Sequence, residues 1–149
     1  MSDLVSILIP AYNSARWLHE TVSSALAQTW PRKEIIVVDD GSKDDTLAVA
    51  RQFESSNVKV VAQKNTGAPG ARNKALSLAQ GDYIQWLDAD DVLHPEKIAR
   101  QMAHADDGRR SLTLLTSSWG KFFHRTSKAS FQPDSLWRDH APVDWIVTR

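Results

Sequence analysis

The sequence predicts an α/β fold: a mostly parallel sheet with helices on both faces. Two observations predict it. Short apolar runs rich in β-branched residues alternate with segments of helical periodicity, from the N-terminus to about residue 108. Each apolar run also ends abruptly at proline, at acidic residues or at a glycine-containing turn. Strands separated by helices run parallel through right-handed crossovers, and such a sheet is covered on both sides.

The elements follow in order. Leu4 to Ile9 is a buried strand stopped by Pro10. Asn13 or Ser14 caps a helix carrying Leu18, Val22, Ala25 and Leu26 on one face. Glu34 to Val38 is a second strand, ending at Asp39-Asp40-Gly41. Ser42 to Asp45 reads as a capping box before a helix with Leu47, Ala50 and Phe53 inward. Val58 to Val61 is a third strand. Gly67 to Ala79 is a helix with Ala71, Ala75, Leu78 and Ala79 at helical spacing, and Gly81 is its stop. Tyr83 to Leu87 is a fourth strand. His94-Pro95 opens a further helix, proline taking the first position, with Ile98, Met102 and Ala105 inward and Gly108 at its end. Beyond it, Ser111 to Ser118 reads as a fifth strand and Phe122-Phe123-His124 as another. Thr126 to Pro133 is loop-like, and Pro142 to Thr148 is helical.

Composition narrows the function. The 149 residues suit one domain, residues 1–149, with its own core. Eighteen basic residues balance eighteen acidic ones, so there is no basic excess of the kind that marks nucleic-acid binding. With no cysteine, disulfides and thiolate zinc sites are excluded, and a cytoplasmic location is expected. No signal-peptide pattern and no apolar run near the ~20 residues of a membrane span is present. A homo-oligomer remains compatible with the chain.

Ligands of open α/β sheets bind beyond the carboxyl ends of the strands. Four polar clusters follow the four strands: Pro10-Ala11-Tyr12-Asn13, Asp39-Asp40-Gly41-Ser42, Asn65 to Asn73 with Gly67 and Arg72, and Asp88-Ala89-Asp90-Asp91. In extended backbone Asp88 and Asp90 point the same way. Two carboxylates ~4 Å apart repel by about 1 kcal/mol in water and about 4 at an effective dielectric of 20. A hard cation turns that cost into a site, and oxygen-only ligands favour Mg²⁺ or Mn²⁺ shared with substrate phosphates. Asp88 or Asp90 as a simple helix cap is the plainer alternative. Arg72, just past a glycine-rich turn, is placed to meet an anion with the helix N-terminus. Tyr12 is either a packing residue or a base or ribose contact. The five histidines show no metal-like spacing.

Together these stretches resemble the family 2 glycosyltransferases, which have the Rossmann-like GT-A fold. Val5 to Asn13, Glu34 to Thr46, Asn65-Thr66-Gly67 leading to Ala71-Arg72-Asn73, and Gly81 to Ile84 leading to Leu87 to Asp91 carry the resemblance, over residues 4 to about 100. It implies a nucleotide-sugar donor, commonly a uridine diphosphate sugar, and inverting transfer to a carbohydrate, lipid or other hydroxyl acceptor. By position, Pro10, Ala11, Tyr12 and Asn13 would border the base pocket and Asp39 or Asp40 would contact base or ribose. Gly67 and Arg72 would flank base and phosphates, Asp88 and Ala89 would face the ribose, and Asp90, with Asp88, would hold Mn²⁺ or Mg²⁺. The family's general base lies well beyond the acidic triplet. Residues 109–149 would then be a partial acceptor-side segment of a C-terminally truncated domain, in which Asp134, Asp139 and Asp144 are weak candidates for the base. The competing reading is a donor-binding module without efficient catalysis. A phospho-receiver domain needs acids after the first strand and an aspartate after the third, where Pro10-Ala11-Tyr12 and Asn65 stand. A dinucleotide-binding oxidoreductase needs G-x-G-x-x-G after the first strand, which is absent.

Overall fold

The computed structural model describes residues 3–105, 115–122 and 128–131. Its elements are β1 (Val5–Ala11), α1 (Ala15–Leu26), β2 (Lys33–Asp39), α2 (Thr46–Arg51), β3 (Val58–Ala62), α3 (Gly67–Leu78), β4 (Tyr83–Trp86) and α4 (Lys97–Met102). Two compact units divide the chain, Met1–Ala99 and Arg100–Arg149.

The first unit is the α/β layer structure that the alternating pattern predicts. Its four strands lie in the order β3-β2-β1-β4, all parallel. The chain moves outward from β1 to β2 to β3, then crosses back to place β4 on the other side of β1. Right-handed crossovers in opposite directions put their helices on opposite faces. One face is sealed by α3, where Ala71 and Ala75 pack with Leu8, Ile36 and Val38. The small alanines let the helix approach the sheet closely. On the other face, α1 and α2 pack together, and Ile7, Ile9, Ile35 and Val37 are inaccessible to solvent. The near-continuous apolar strands reflect burial on both sides.

The register makes the rim uneven. Ala11 pairs with Asp39, but the last partner of β4 is Leu8, opposite Trp86. The ladder to β4 thus ends three residues below the end of β1, a step of about 10 Å at ~3.3 Å per residue. Ile84 and Trp86 on β4 are half-exposed.

Several local expectations change. Ser14 is the residue before α1, but its hydroxyl makes no capping bond; its N–H donates to the Thr46 hydroxyl instead. The Ser42–Asp45 segment is not a capping box: α2 starts only at Thr46, whose N–H donates to Asp44, and the Ser42 hydroxyl is drawn away to accept from Asn13 N–H. Gly81 does not close α3. Ala79 leaves the helix in extended conformation, and Gly81 is small because a Cβ there would lie 2.7 Å from Ser6 N. Pro95 does not open α4, which begins at Lys97; its carbonyl accepts from Thr29 N–H. Ile98, Met102 and Ala105 are buried as expected.

In the second unit, Lys121 and Ser130 form an antiparallel bridge with bonds of 2.9 and 2.8 Å. Residues 115–118, the described part of the expected fifth strand, carry no strand. The rest of that strand, His124, the Pro142–Thr148 helix and Asp134, Asp139 and Asp144 lie outside the described residues.

Candidate functional site

The four polar clusters converge. A cleft of about 540 Å³ opens at the carboxyl ends of the strands, where the order reverses between β1 and β4. From the end of β1 it takes Pro10, Ala11, Tyr12 and Asn13. Asp40 enters from beyond β2, Gly67 and Arg72 from α3, and Asp88, Ala89 and Asp90 from beyond β4. Of the described donor and metal candidates, Asp39 is the one that does not line it. Side chains alternate along β2, so Asp39 and Asp40 face opposite sides, and Asp39 turns to accept from Ser42 N–H at 3.3 Å.

Tight backbone geometry shapes the β1 side. Asn13 has φ 48°, a left-handed conformation that asparagine tolerates. Its amide oxygen accepts from Lys43 N–H at 2.8 Å and its own N–H donates to Ser42 at 2.9 Å. These bonds hold the Tyr12-Asn13 corner against the β2–α2 loop and leave the Tyr12 ring 47% exposed at the cleft.

Asp40 is buried and works as a clasp. Its oxygens accept from Thr66 N–H at 2.9 Å, Gly67 N–H at 2.8 Å and Gln63 Nε2 at 2.7 Å. The Thr66 and Gly67 donors lie at the start of α3, so Asp40 fixes that helix end from the neighbouring loop. Burial opposes its ionisation. Hydrogen bonds from Gln63, Thr66 and Gly67 outweigh burial and hold the carboxyl below its usual value. Gly41 makes the approach possible: its φ is 70°, and a Cβ would meet Asn65 N at 2.9 Å.

The β4 side is acidic. Arg72 reaches from α3 to Asp88 Oδ1 at 2.9 Å, both side chains being about half exposed. Asp90 is exposed and receives no hydrogen bond among the described residues. Asp91 has its carboxyl pushed upward, first by desolvation and then by the charges of Asp90 and Asp88. Among the described residues no three His, Asp or Glu side chains converge on one metal position. A hard cation held at Asp88 and Asp90 would take one or two carboxylates and complete its shell with water and phosphate oxygens, not sit in a closed protein cage.

Two residues not singled out in the sequence bear on the cleft, one lining it and one tying down a neighbouring segment. Trp17 lines the cleft and is 41% exposed. It borders the buried stripe of α1, which is Leu18, Thr21, Val22 and Ala25, and stands four residues before Thr21, so spacing alone reads it as a packing residue. Gln28, 3% exposed, donates to His94 O at 2.8 Å and accepts from Ile98 N–H, stitching the end of α1 to the segment after the acidic turn. Nothing in its local sequence marks that contact, which spans about seventy residues.

Comparison with known proteins places this geometry. Residues 6–129 match the model of the glycosyl transferase family 2. The putative teichuronic acid biosynthesis glycosyltransferase TuaG of Bacillus subtilis is 41% identical over 155 residues, covering 97% of this chain and 59% of that protein. The UDP-Glc:alpha-D-GlcNAc-diphosphoundecaprenol beta-1,3-glucosyltransferase WfaP of Escherichia coli is 45% identical over 103 residues, 67% of this chain and 40% of its own length. An uncharacterised glycosyltransferase of Rickettsia prowazekii is 44% identical over 68% of the chain and 31% of its own length. The chain thus spans about a third to three-fifths of these relatives. Among solved structures, S. aureus TarS 1-349 in complex with UDP-GlcNAc superposes with a TM-score of 0.66 at 33% identity, covering 70% of this chain and 31% of that one. The mannosyltransferase PcManGT of Pyrobaculum calidifontis, in complex with GDP-Man and Mn²⁺, gives 0.67 at 26% identity, over 72% and 34%. The fold is that of the GT-A glycosyltransferases, and the chain belongs to glycosyl transferase family 2.

Proposed function

We propose that the cleft binds a nucleoside-diphosphate sugar, a UDP-sugar above others, for inverting transfer to a hydroxyl acceptor. The observation that carries this reading is the convergence of Tyr12, Asp40, Gly67, Arg72, Asp88 and Asp90 on one cleft at the strand-order reversal. The relatives support it: TarS holds UDP-GlcNAc, and WfaP is named for UDP-Glc. The base sits at the Tyr12 and Asp40 end, and the diphosphate lies between Arg72 and the acidic turn. Asp90, with Asp88, would hold Mn²⁺ or Mg²⁺, which would offset charge on the diphosphate; PcManGT was solved with Mn²⁺.

In the transfer, the acceptor oxygen attacks the anomeric carbon as the bond from that carbon to the β-phosphate oxygen breaks. The nucleoside diphosphate leaves with the bond electrons. Arg72, aimed along the cleft, exchanges its pairing with Asp88 for the phosphate oxygens and stabilises the growing charge. The acceptor proton passes to a general base. Asp134, Asp139 and Asp144 are the candidates for that role. A second reading, donor binding without efficient transfer, is favoured by one observation. The described carboxylates lining the cleft are Asp40, Asp88 and Asp90: the β3–α3 loop engages Asp40, Arg72 engages Asp88, and Asp90 is the one assigned above to the metal. Sugar transfer to a hydroxyl acceptor by this chain separates the two readings.

The donor and metal assignments are tested by calorimetric titration of UDP, GDP and CDP with and without Mn²⁺. UDP is expected to bind tightest, and Asp90→Ala to remove the metal-dependent part of the affinity. Equal affinities for wild type and Asp90→Ala in Mn²⁺ would exclude the metal role.

A further inference from the structure

We infer that Trp17 is a specificity-determining residue, the platform against which the sugar of the donor packs; this rests on the cleft being the donor site proposed above. Trp17 lies in the first turn of α1, with 41% of its surface exposed. An aromatic side chain of that size on a helix normally goes into the core, yet the buried stripe of α1 passes beside it. The Arg16 guanidinium lies 4.4 Å from its ring centroid. Trp17 lines the cleft and Arg16 does not. A cation over one face restrains the ring and leaves the other face to a ligand.

The position along the cleft selects the sugar over the base. Trp17 and Thr21 are four residues apart, on the same face of α1. The Thr21 hydroxyl donates to Ala89 O at 2.9 Å, and it also approaches Trp17 O at 3.3 Å. That bond bolts the Trp17 side of α1 to the turn carrying Asp88 and Asp90, while the base end is built around Asp40 and the start of α3. In a nucleotide sugar the sugar is attached to the far phosphate. A flat apolar surface beside the residues that hold the diphosphate therefore meets the sugar. A pyranose offers a face of C–H groups suited to such a surface, and its hydroxyl edges remain free for polar contacts.

The test compares ligands that differ only in the sugar. Calorimetric titrations in Mn²⁺ use UDP, UDP-glucose and UDP-N-acetylglucosamine against wild type, Trp17→Phe and Trp17→Ala, with circular dichroism to show that each variant is folded. Trp17→Ala is expected to weaken the better-binding UDP-sugar about five- to tenfold, and UDP less than about twofold. Trp17→Phe, which keeps a ring, is expected to recover most of the loss. Equal loss for UDP and UDP-sugar, or no loss for either, overturns the assignment. If wild type binds neither UDP nor UDP-sugar, the donor-site reading fails first and this one with it. Should Trp17→Ala not fold, Trp17→Leu takes its place, and an equal loss for UDP and UDP-sugar, or no loss for either, overturns the proposal.

Discussion

At the scale of single residues, Asp40 shows how one carboxylate serves both fold and site. Its bonds to Thr66 and Gly67 are made by the ionised form. A carboxyl whose pKa is lowered by folding stabilises the protein above its unfolded value, about 3.9, and that stability disappears as pH falls below it. Asp40→Asn places an amide against N–H donors and is expected to cost about 2–3 kcal/mol at neutral pH. The variant should also lose part of the acid sensitivity of the wild type. Urea denaturation at pH 7 and between pH 5 and 3 measures both effects. A variant as stable as wild type at pH 7 would exclude the clasp. That an acidic pair after an apolar strand matters was readable in the sequence. Which acid faces the cleft follows from alternation along β2. That Asp40 spends its oxygens on a loop more than twenty residues away could not be read, because the donors belong to the β3–α3 connection. Trp17 was not legible, because its spacing four residues before the buried Thr21 reads as core and only the fold leaves it exposed.

At the scale of elements, strands and long helices follow from pattern, and the short helices do not. β1, β2, β3 and α3 appear within a residue or two of their expected limits. The reason is double-sided burial, which leaves a strong apolar signal. The start of α2 shifts because tertiary hydrogen bonds take the capping groups: the Ser42 hydroxyl accepts from Asn13 N–H, and the Asp44 carboxylate accepts from both Thr46 N–H and Ala15 N–H. The β2–α2 and β3–α3 loops meet closely at Gly41 and Asn65. Gly41→Ala forces a left-handed alanine and a Cβ at 2.9 Å from Asn65 N. The expected destabilisation is at least about 2 kcal/mol, from strain and overpacking together. A shift below ~0.5 kcal/mol in urea denaturation would show that the loops separate readily.

At the scale of the whole molecule, the described lining residues of the cleft all come from the unit Met1–Ala99. Ligand binding should therefore stabilise that unit directly. UDP with Mn²⁺ at a hundred times its dissociation constant adds about 2.7 kcal/mol to the folded state. A melting temperature that rises with UDP and Mn²⁺, and rises less when EDTA replaces the metal, is the expected result of a thermal scan. An equal rise in EDTA would place the affinity on the protein and nucleotide alone. The neutral overall charge of the chain makes the acidic turn a local feature and leaves no broad field to draw in anions, so binding should depend little on long-range steering.

The three-residue step between the ends of β1 and β4 turns the sheet into a ruler. Tyr12 stands at one mark and Asp88 at a lower one, and the distance between them is counted in backbone residues. Deleting one residue from the 82–87 stretch would swing Asp88 to the opposite face of the sheet. Deleting two would keep the face and lower the acidic turn by about 7 Å. Length changes in this stretch are therefore quantised. Sequence drift by substitution can tune the cleft gradually, but a change of length there resets its span in whole steps.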